Sequence, residues 1–454
     1  MSMSKIFSQV MFIIGMLAFG HFAFAADKFV NIADIHFSPF SGCENTKAPC
    51  IILQKLIQHD AKDWQSIFTS ASQQHVATYG EETNNELFES LLAQLKVINQ
   101  REHPAFVLVL GDFLAHHFHQ QYKKYSGDKT TTEYQAFVRK TLQYITLRLN
   151  AVFPAIDIYP MIGNNDGYNG DYRVIPNGIF LKDMMNIWVS FIKKKSNKQS
   201  FSQEFPYAGF YAAAQNNYRI LVLDSVLFST YSKKSQADEA AQQELQWLHQ
   251  QLLLAQNQHQ KVLLAFHIPA GIDVFRTIKN FFGDVIEFWQ PDYQQAFMNE
   301  LKQFPHRVAG IFSGHIHMDG LQLIELDHSG EVAAISTPSI SPIFGNNPGI
   351  KVFSYNPVTS HIENYETYFY PLNGQPLWKK EYSFNKAYQM HCRYCSIAKT
   401  FSQLMSEENF IDHYKSYYAV SHDAQPITQL GKWVYYQCNL YYVNKSQFIS
   451  CLHK

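Results

Sequence analysis

The sequence predicts an α/β fold, with sheet covered by helices on both faces and a small, mostly helical, disulfide-stapled subdomain at the C-terminus. Three observations carry this. Short apolar runs alternate with segments of helical periodicity along most of the chain. Several runs are apolar at nearly every residue, as in strands buried on both faces. Four of the six cysteines, Cys392, Cys395, Cys438 and Cys451, cluster late in the chain, in a region rich in tyrosine.

Taken in order, residues 1–25 read as a signal peptide. Lys5 supplies a positive start, 10–24 is mostly apolar, and Ala23-Phe24-Ala25 suits a small-residue cleavage site. The apolar run is short for a bilayer span, and no later stretch is apolar enough to be one. Cleavage near Ala25 and export, periplasmic or extracellular, are therefore expected, with no transmembrane segment in the mature chain. Strands are expected at 28–33 (KFVNIA), 105–110 (AFVLVL), 155–162, 218–223 (YRILVL), 261–266 (KVLLAF), 308–312 (VAGIF), 320–326 and 332–336. Helical spacing falls at 51–56, 87–99, 134–150, 179–193 and 238–255. The main domain is placed at 26–375 and the helical subdomain at 376–454.

Composition narrows the class. The 454 residues are 46% hydrophobic and 17% charged, with a net charge of −1, so a large core is available and no global basic field favours nucleic acid. Six cysteines in an exported chain predict three disulfides rather than a metal site. Cys43 and Cys50 lie close enough to pair locally; the connectivity of the other four stays open. Cys392-x-x-Cys395 lacks the βαβ context of a redox motif.

The functional signal lies where strands end. Asp34 and His36 follow the first strand, Asp112 follows Gly111, Asn164 follows Gly163, His267 ends its strand, and His315 and His317 follow Ser313-Gly314. Any one of these suits a turn or cap. Five strands each delivering a metal-type side chain at the same end, where α/β sheets place their sites, point instead to a shared metal centre. His315 and His317, two apart on an expected extended loop, would point the same way.

DIH at 34–36, GD at 111–112, GNND at 163–166, His267 and GHIH at 314–317 resemble the calcineurin-like metallophosphoesterase superfamily, whose pattern runs D-x-H, GD, GN-[HN]-[DE], H, GH-x-H. VLLAFHIPAG at 262–271, TPSISPIFGNNPGI at 337–350, the ELQWLHQQL helix and the Cys-containing tail are similar to its acid sphingomyelinase-like phosphodiesterase branch. The resemblance covers 29–370 and, more loosely, the tail. It implies a four-layer sandwich of two mixed β-sheets flanked by helices, with a binuclear site. By motif position, Asp34, His36 and His317 would hold one ion and Asn164, His267 and His315 the other, with Asp112 bridging. Two ions roughly 4 Å apart bind phosphate oxygens and lower the pKa of a water between them, so no protein nucleophile is required. Zinc is the expected metal; the same donors accept Fe, Mn or Co.

Many members carry His where this chain has Asn165, and an amide is no general acid. Asn165 is expected to bind a phosphate oxygen or the leaving group. The branch places a second histidine four residues after GD; here that is His116, the expected general acid, with His117 and His119 as neighbours. Asp166 and Asp171 are candidates for orienting ligands, and Tyr168, Tyr172, Phe344 and Asn347 for lining a cleft. The expected activity is hydrolysis of small phosphate esters such as nucleotides or CDP-choline by a monomer. GNND is also similar to vacuolar endopolyphosphatases, which keeps polyphosphate as an alternative, although no Lys/Arg track accompanies the motifs. A metal-containing binding protein with little turnover is the third reading.

Overall fold

The computed structural model describes residues 26–453 except 45, 72–74, 128–129, 327–329, 389–391, 393–394, 405–409 and 423–431. The expected signal peptide lies outside these. Among the described residues no helix is long and apolar enough to cross a membrane.

Two six-stranded mixed sheets form the centre. The first contains β1 (Asp27–Ile32), β2 (Phe106–Val109) and β3 (Asp157–Pro160). The second is built from β4 (Tyr211–Gln215), β5 (Tyr218–Val222), β6 (Lys261–Ala265), β7 (Val308–Ser313), β8 (Gly320–Glu325) and β9 (Glu331–Ser336), in the order β4-β5-β6-β7-β9-β8. The chain then returns to complete the first sheet with β10 (Gly349–Tyr355), β11 (Ile362–Phe369) and β12 (Lys379–Ser383), giving β12-β11-β10-β1-β2-β3. Strands β1 to β3 run parallel, as do β5, β6, β7 and β9. Their C-terminal ends therefore lie on one side of each sheet.

Aromatic rings join the sheets. Phe29 of β1 stacks on Phe106 and Phe353 at 4.7 and 4.8 Å, and Phe312 of β7 meets Phe29 edge-on at 5.3 Å. Helices cover the outer faces, among them Asn85–Glu102, Thr131–Val152, Lys195–Ala208 and Lys234–Asn257. The tail is helical at Ile397–Leu404, Phe410–Tyr418, Trp433–Tyr441 and Lys445–Leu452. Its cysteines pair Cys392 with Cys395 and Cys438 with Cys451, while Cys43 pairs with Cys50 as expected.

Lys351, in the middle of β10, is fully buried. Its ammonium donates to Asp319 Oδ2 at 2.7 Å and Thr367 Oγ1 at 2.9 Å, and sits 3.9 Å from the Tyr365 ring centre. Tyr382 OH reaches the same carboxylate oxygen at 2.9 Å. Asp319 lies two residues beyond His317, so this buried pair ties the late strands to the GHIH loop. Lys351→Met leaves that carboxylate without its cation, and a loss of about 3–5 kcal/mol is expected in denaturant unfolding.

A second buried charge cluster lies behind the second sheet. Asp224, just after β5, donates its backbone N–H to Glu244 Oε1 at 2.7 Å, and both side chains are fully buried. Burial pushes both carboxyls well above their ordinary range, with Asp224 adding to the shift at Glu244. The folded state thus holds a proton that the unfolded chain releases above about pH 4.5, the ordinary glutamate value, and stability falls as pH rises from there. Glu244→Gln keeps the acceptor oxygen without the titration. The variant is expected to melt above the parent at pH 8, with the difference shrinking towards pH 4.

Candidate metal centre

All seven expected ligand residues come together at the strand ends. Sheet one supplies Asp34, His36, Asp112 and Asn164; sheet two supplies His267, His315 and His317. Six of the seven are at least nine-tenths buried, and His315 is partly open.

The backbone does unusual work to aim them. Asp34, His36, Asp112, His315 and His317 have φ of 49°, 44°, 52°, 70° and 62°. The left-handed region is unfavourable for residues with a Cβ, by about 1 kcal/mol or more each. The loop at 315–317 is therefore not extended as expected. Its two histidines diverge: His315 joins Asp112 and His267, and His317 joins His36. Ile316 points elsewhere, its Cδ1 lying 2.6 Å from where a Cβ on Gly320 would be. Two glycines leave room for the carboxylates: a Cβ would lie 2.1 Å from Asp112 Oδ1 at Gly163 and 2.5 Å from Asp34 Oδ2 at Gly314.

The donor set fits cations. His36 Nδ1 donates to the Leu114 carbonyl at 2.9 Å, so the neutral ring has a bare Nε2. That atom faces Asp112 Oδ2 at 3.4 Å, Asp34 Oδ1 at 3.7 Å and His317 Nε2 at 3.2 Å. His267 Nδ1 donates to the Leu110 carbonyl at 2.7 Å, and its Nε2 faces Asn164 Oδ1 at 3.0 Å and Asp112 Oδ2 at 3.2 Å. Lone pairs so directed repel unless positive charge lies among them. Burial alone would depress His36, but Asp112 and Asp34 hold it up at about 10. His267 is likewise held up at about 9 by Asp112 against burial. Burial together with these raised neighbours pushes His315 and His317 well below the ordinary range. Asp112, at the centre, resists burial and stays well below the carboxylate range because of His267 and His36.

Asn165 lies at the site, 5% exposed. Its backbone N–H donates to Asp112 Oδ1 and its Nδ2 to Asp112 Oδ2, both at 2.8 Å. Asp166 accepts from the backbone N–H groups of Phe113, Leu114 and Gly163 at 2.9, 3.1 and 3.0 Å, stitching the GD turn to the GN turn. Burial and the Asp112 charge push its carboxyl up to about 7. His116 stacks on His36 with ring centres 4.1 Å apart, and its Nδ1 bonds Glu82 Oε1 at 2.8 Å. His117 and His119 are exposed, His119 lying against Tyr134.

Glu82 is the residue that sequence reasoning missed. It also receives the His116 N–H at 2.9 Å and the Ser341 hydroxyl at 3.0 Å. Burial would raise its carboxyl, but His116 and His36 hold it low. It sits in an irregular loop and belongs to none of the motifs. Of the expected cleft residues, Tyr172 and Phe344 line a cavity of about 730 Å³ beside the ligands, and Asp171, expected to orient ligands, lines it too. Tyr168 instead bonds Asp183 at 2.6 Å. Asn347 clamps the Tyr79 hydroxyl at 2.7 Å and the Val420 carbonyl at 2.7 Å.

The chain belongs to the calcineurin-like phosphoesterases, whose family profile matches residues 28–319. Residues 328–454 match the acid sphingomyelin phosphodiesterase C-terminal region. Its relatives are of that sphingomyelinase-like type. A sphingomyelinase phosphodiesterase D of Dictyostelium discoideum is 26% identical over 390 residues, covering 81% of this chain and 82% of that protein. A cyclic GMP-AMP phosphodiesterase of Bos taurus is 24% identical over 335 residues, 68% and 70% of the two chains. The acid sphingomyelinase-like phosphodiesterase 3b of Homo sapiens is 23% identical over 445 residues, 94% and 90%.

Proposed function

We propose that this protein is an exported phosphodiesterase or phosphohydrolase that uses two divalent ions, zinc by preference, to cleave small phosphate esters such as nucleotides or CDP-choline. The observation that carries the reading is the pair of ligand clusters sharing Asp112, with imidazole lone pairs turned on carboxylate and amide oxygens. Asp34, His36 and His317 would hold one ion and Asn164, His267 and His315 the other. When bound, the ions neutralise phosphate charge and activate a water.

This chain's own residues do the rest. The Leu114 and Leu110 carbonyls fix the tautomers of His36 and His267, leaving each Nε2 free to ligate. Asn165 donates to both oxygens of Asp112 and so fixes the carboxylate that the two donor groups share. His116, oriented by Glu82, is assigned the proton for the leaving oxygen. Three disulfides and a leader-like N-terminus support export.

The test is hydrolysis by the purified chain, with and without chelator, of bis-nitrophenyl phosphate, ATP, CDP-choline, cyclic GMP-AMP, sphingomyelin and long-chain polyphosphate. Chelator-sensitive cleavage of the small esters is expected, restored by zinc. Shortening of polyphosphate alone would favour the endopolyphosphatase reading, which Asn165 in GNND keeps in play. No turnover with Zn, Mn, Fe or Co would leave a metal-containing binding protein.

A further inference from the structure

The C-terminal region reaches the proton donor through a chain of contacts. Its helix Phe410–Tyr418 ends in a tight turn, where Val420 and Ser421 hold φ of 55° and 54°. A left-handed φ is an outlier for a β-branched residue, so the surroundings must impose it. Three contacts fasten this turn. The Val420 carbonyl accepts from Asn347 Nδ2 at 2.7 Å, Ser421 Oγ donates to Glu381 Oε1 at 2.8 Å, and His422 Nδ1 donates to the Gly345 carbonyl. Both Asn347 and Val420 are buried.

The same residues grip the irregular loop that carries Glu82. The His422 ring lies flat on Tyr79, with 3.9 Å between ring centres and 5° between planes. The Tyr79 hydroxyl donates to Asn347 Oδ1 at 2.7 Å. Asn347 thus bonds the tail with one side-chain atom and the loop with the other. Next along the loop, the Gly80 N–H donates to the Pro342 carbonyl at 3.1 Å. Glu82 follows, taking the buried Ser341 hydroxyl on one oxygen and His116 on the other. Ser341 is tied to the ligand side as well, its N–H donating to the Asp34 carbonyl at 3.2 Å. A positioned acid works only within hydrogen-bond reach of the leaving oxygen, and displacements near 1 Å are costly there.

We propose that Tyr79, Asn347 and His422 are positioning residues for His116, so that the C-terminal region serves proton transfer to the leaving group without touching it. The proposal rests on the reading of His116 as proton donor only for what the clamp achieves.

The experiment compares benzyl phenylphosphonate, which must leave as an alkoxide, with p-nitrophenyl phenylphosphonate, whose nitrophenolate needs no proton. Both carry the same phosphorus group, so the benzyl-to-nitrophenyl ratio of kcat/KM isolates the donor and is independent of how much enzyme folds. His422 is not among the residues lining the cavity, so its replacement leaves those walls intact. His422→Ala in the full metal-loaded protein should lower the ratio about three- to tenfold, the range of one aromatic pair, with metal content unchanged. His422→Phe keeps a ring on Tyr79 and should hold the ratio within about twofold of the parent. Tyr79→Ala should match His422→Ala, and the double variant should add little, since both remove one contact. Hydrogen exchange reads the clamp without turnover: His422→Ala should speed exchange in 77–84 and at the His116 amide, which bonds Glu82. Unchanged exchange overturns the proposal. So does an equal loss on both substrates, or an unchanged ratio in His422→Ala where His116→Ala lowers it. Faster exchange with a ratio that even His116→Ala leaves unmoved overturns the proton-donor reading and leaves the clamp standing.

Discussion

Asp112→Asn is expected to lower kcat/KM by at least about 10³-fold, with metal content falling below that of the parent. The substitution is nearly isosteric, and the backbone N–H of Asn165 keeps an oxygen to bond. What disappears is the charge that His36 and His267 both face. The Asn165 Nδ2 also loses its carboxylate partner and meets an amide instead. Metal analysis and turnover on the same preparation check this. Parental metal content with near-parental turnover would remove Asp112 from the centre of the site.

His116→Ala should cost about 10²–10⁴-fold on substrates that leave as an alkoxide, the range of a positioned general acid. Nitrophenolate leaves without a proton, so the same variant should lose less than about tenfold on nitrophenyl esters. Metal content should be unchanged. A merely structural role would depress both substrate types together, and a ligand role would lower the bound metal. That distinction matters because His116 nitrogens come as close to those of His36 and His317 as ligand atoms do.

The centre was legible because the apolar runs stop where the ligands begin. VLVL before Gly111-Asp112 and GIFS before Gly314-His315 are a strand and its end written in sequence, and the structure places both pairs at the C-terminal ends of β2 and β7. Late strands were not legible in the same way. Strand β10 carries Lys351 at its middle, and the remote partners Asp319, Thr367 and Tyr365 make that burial tolerable. Strands β11 and β12 read IENYETYF and KKEYS, too polar to show an alternating apolar face. YAAAQ of β4 has the alanine content of a helix and shows no alternating apolar face. Strand β3 spans only Asp157–Pro160, shorter than the 155–162 that the sequence predicts. Glu82 was beyond reach: its partner lies 34 residues away and only the folded loops bring them together.

Neither sheet owns the site. Asp34, His36, Asp112 and Asn164 belong to one and His267, His315 and His317 to the other, so the ligand set exists only after the two halves have docked. An ion held there would work as a rivet across the seam, binding the assembled state and neither half alone. Its binding energy then becomes cohesion between sheets, and a chelator should act on this protein as a mild denaturant as well as an inhibitor. A chain stalled with one sheet formed would carry no fraction of the activity, which makes metal retention a direct gauge of complete folding.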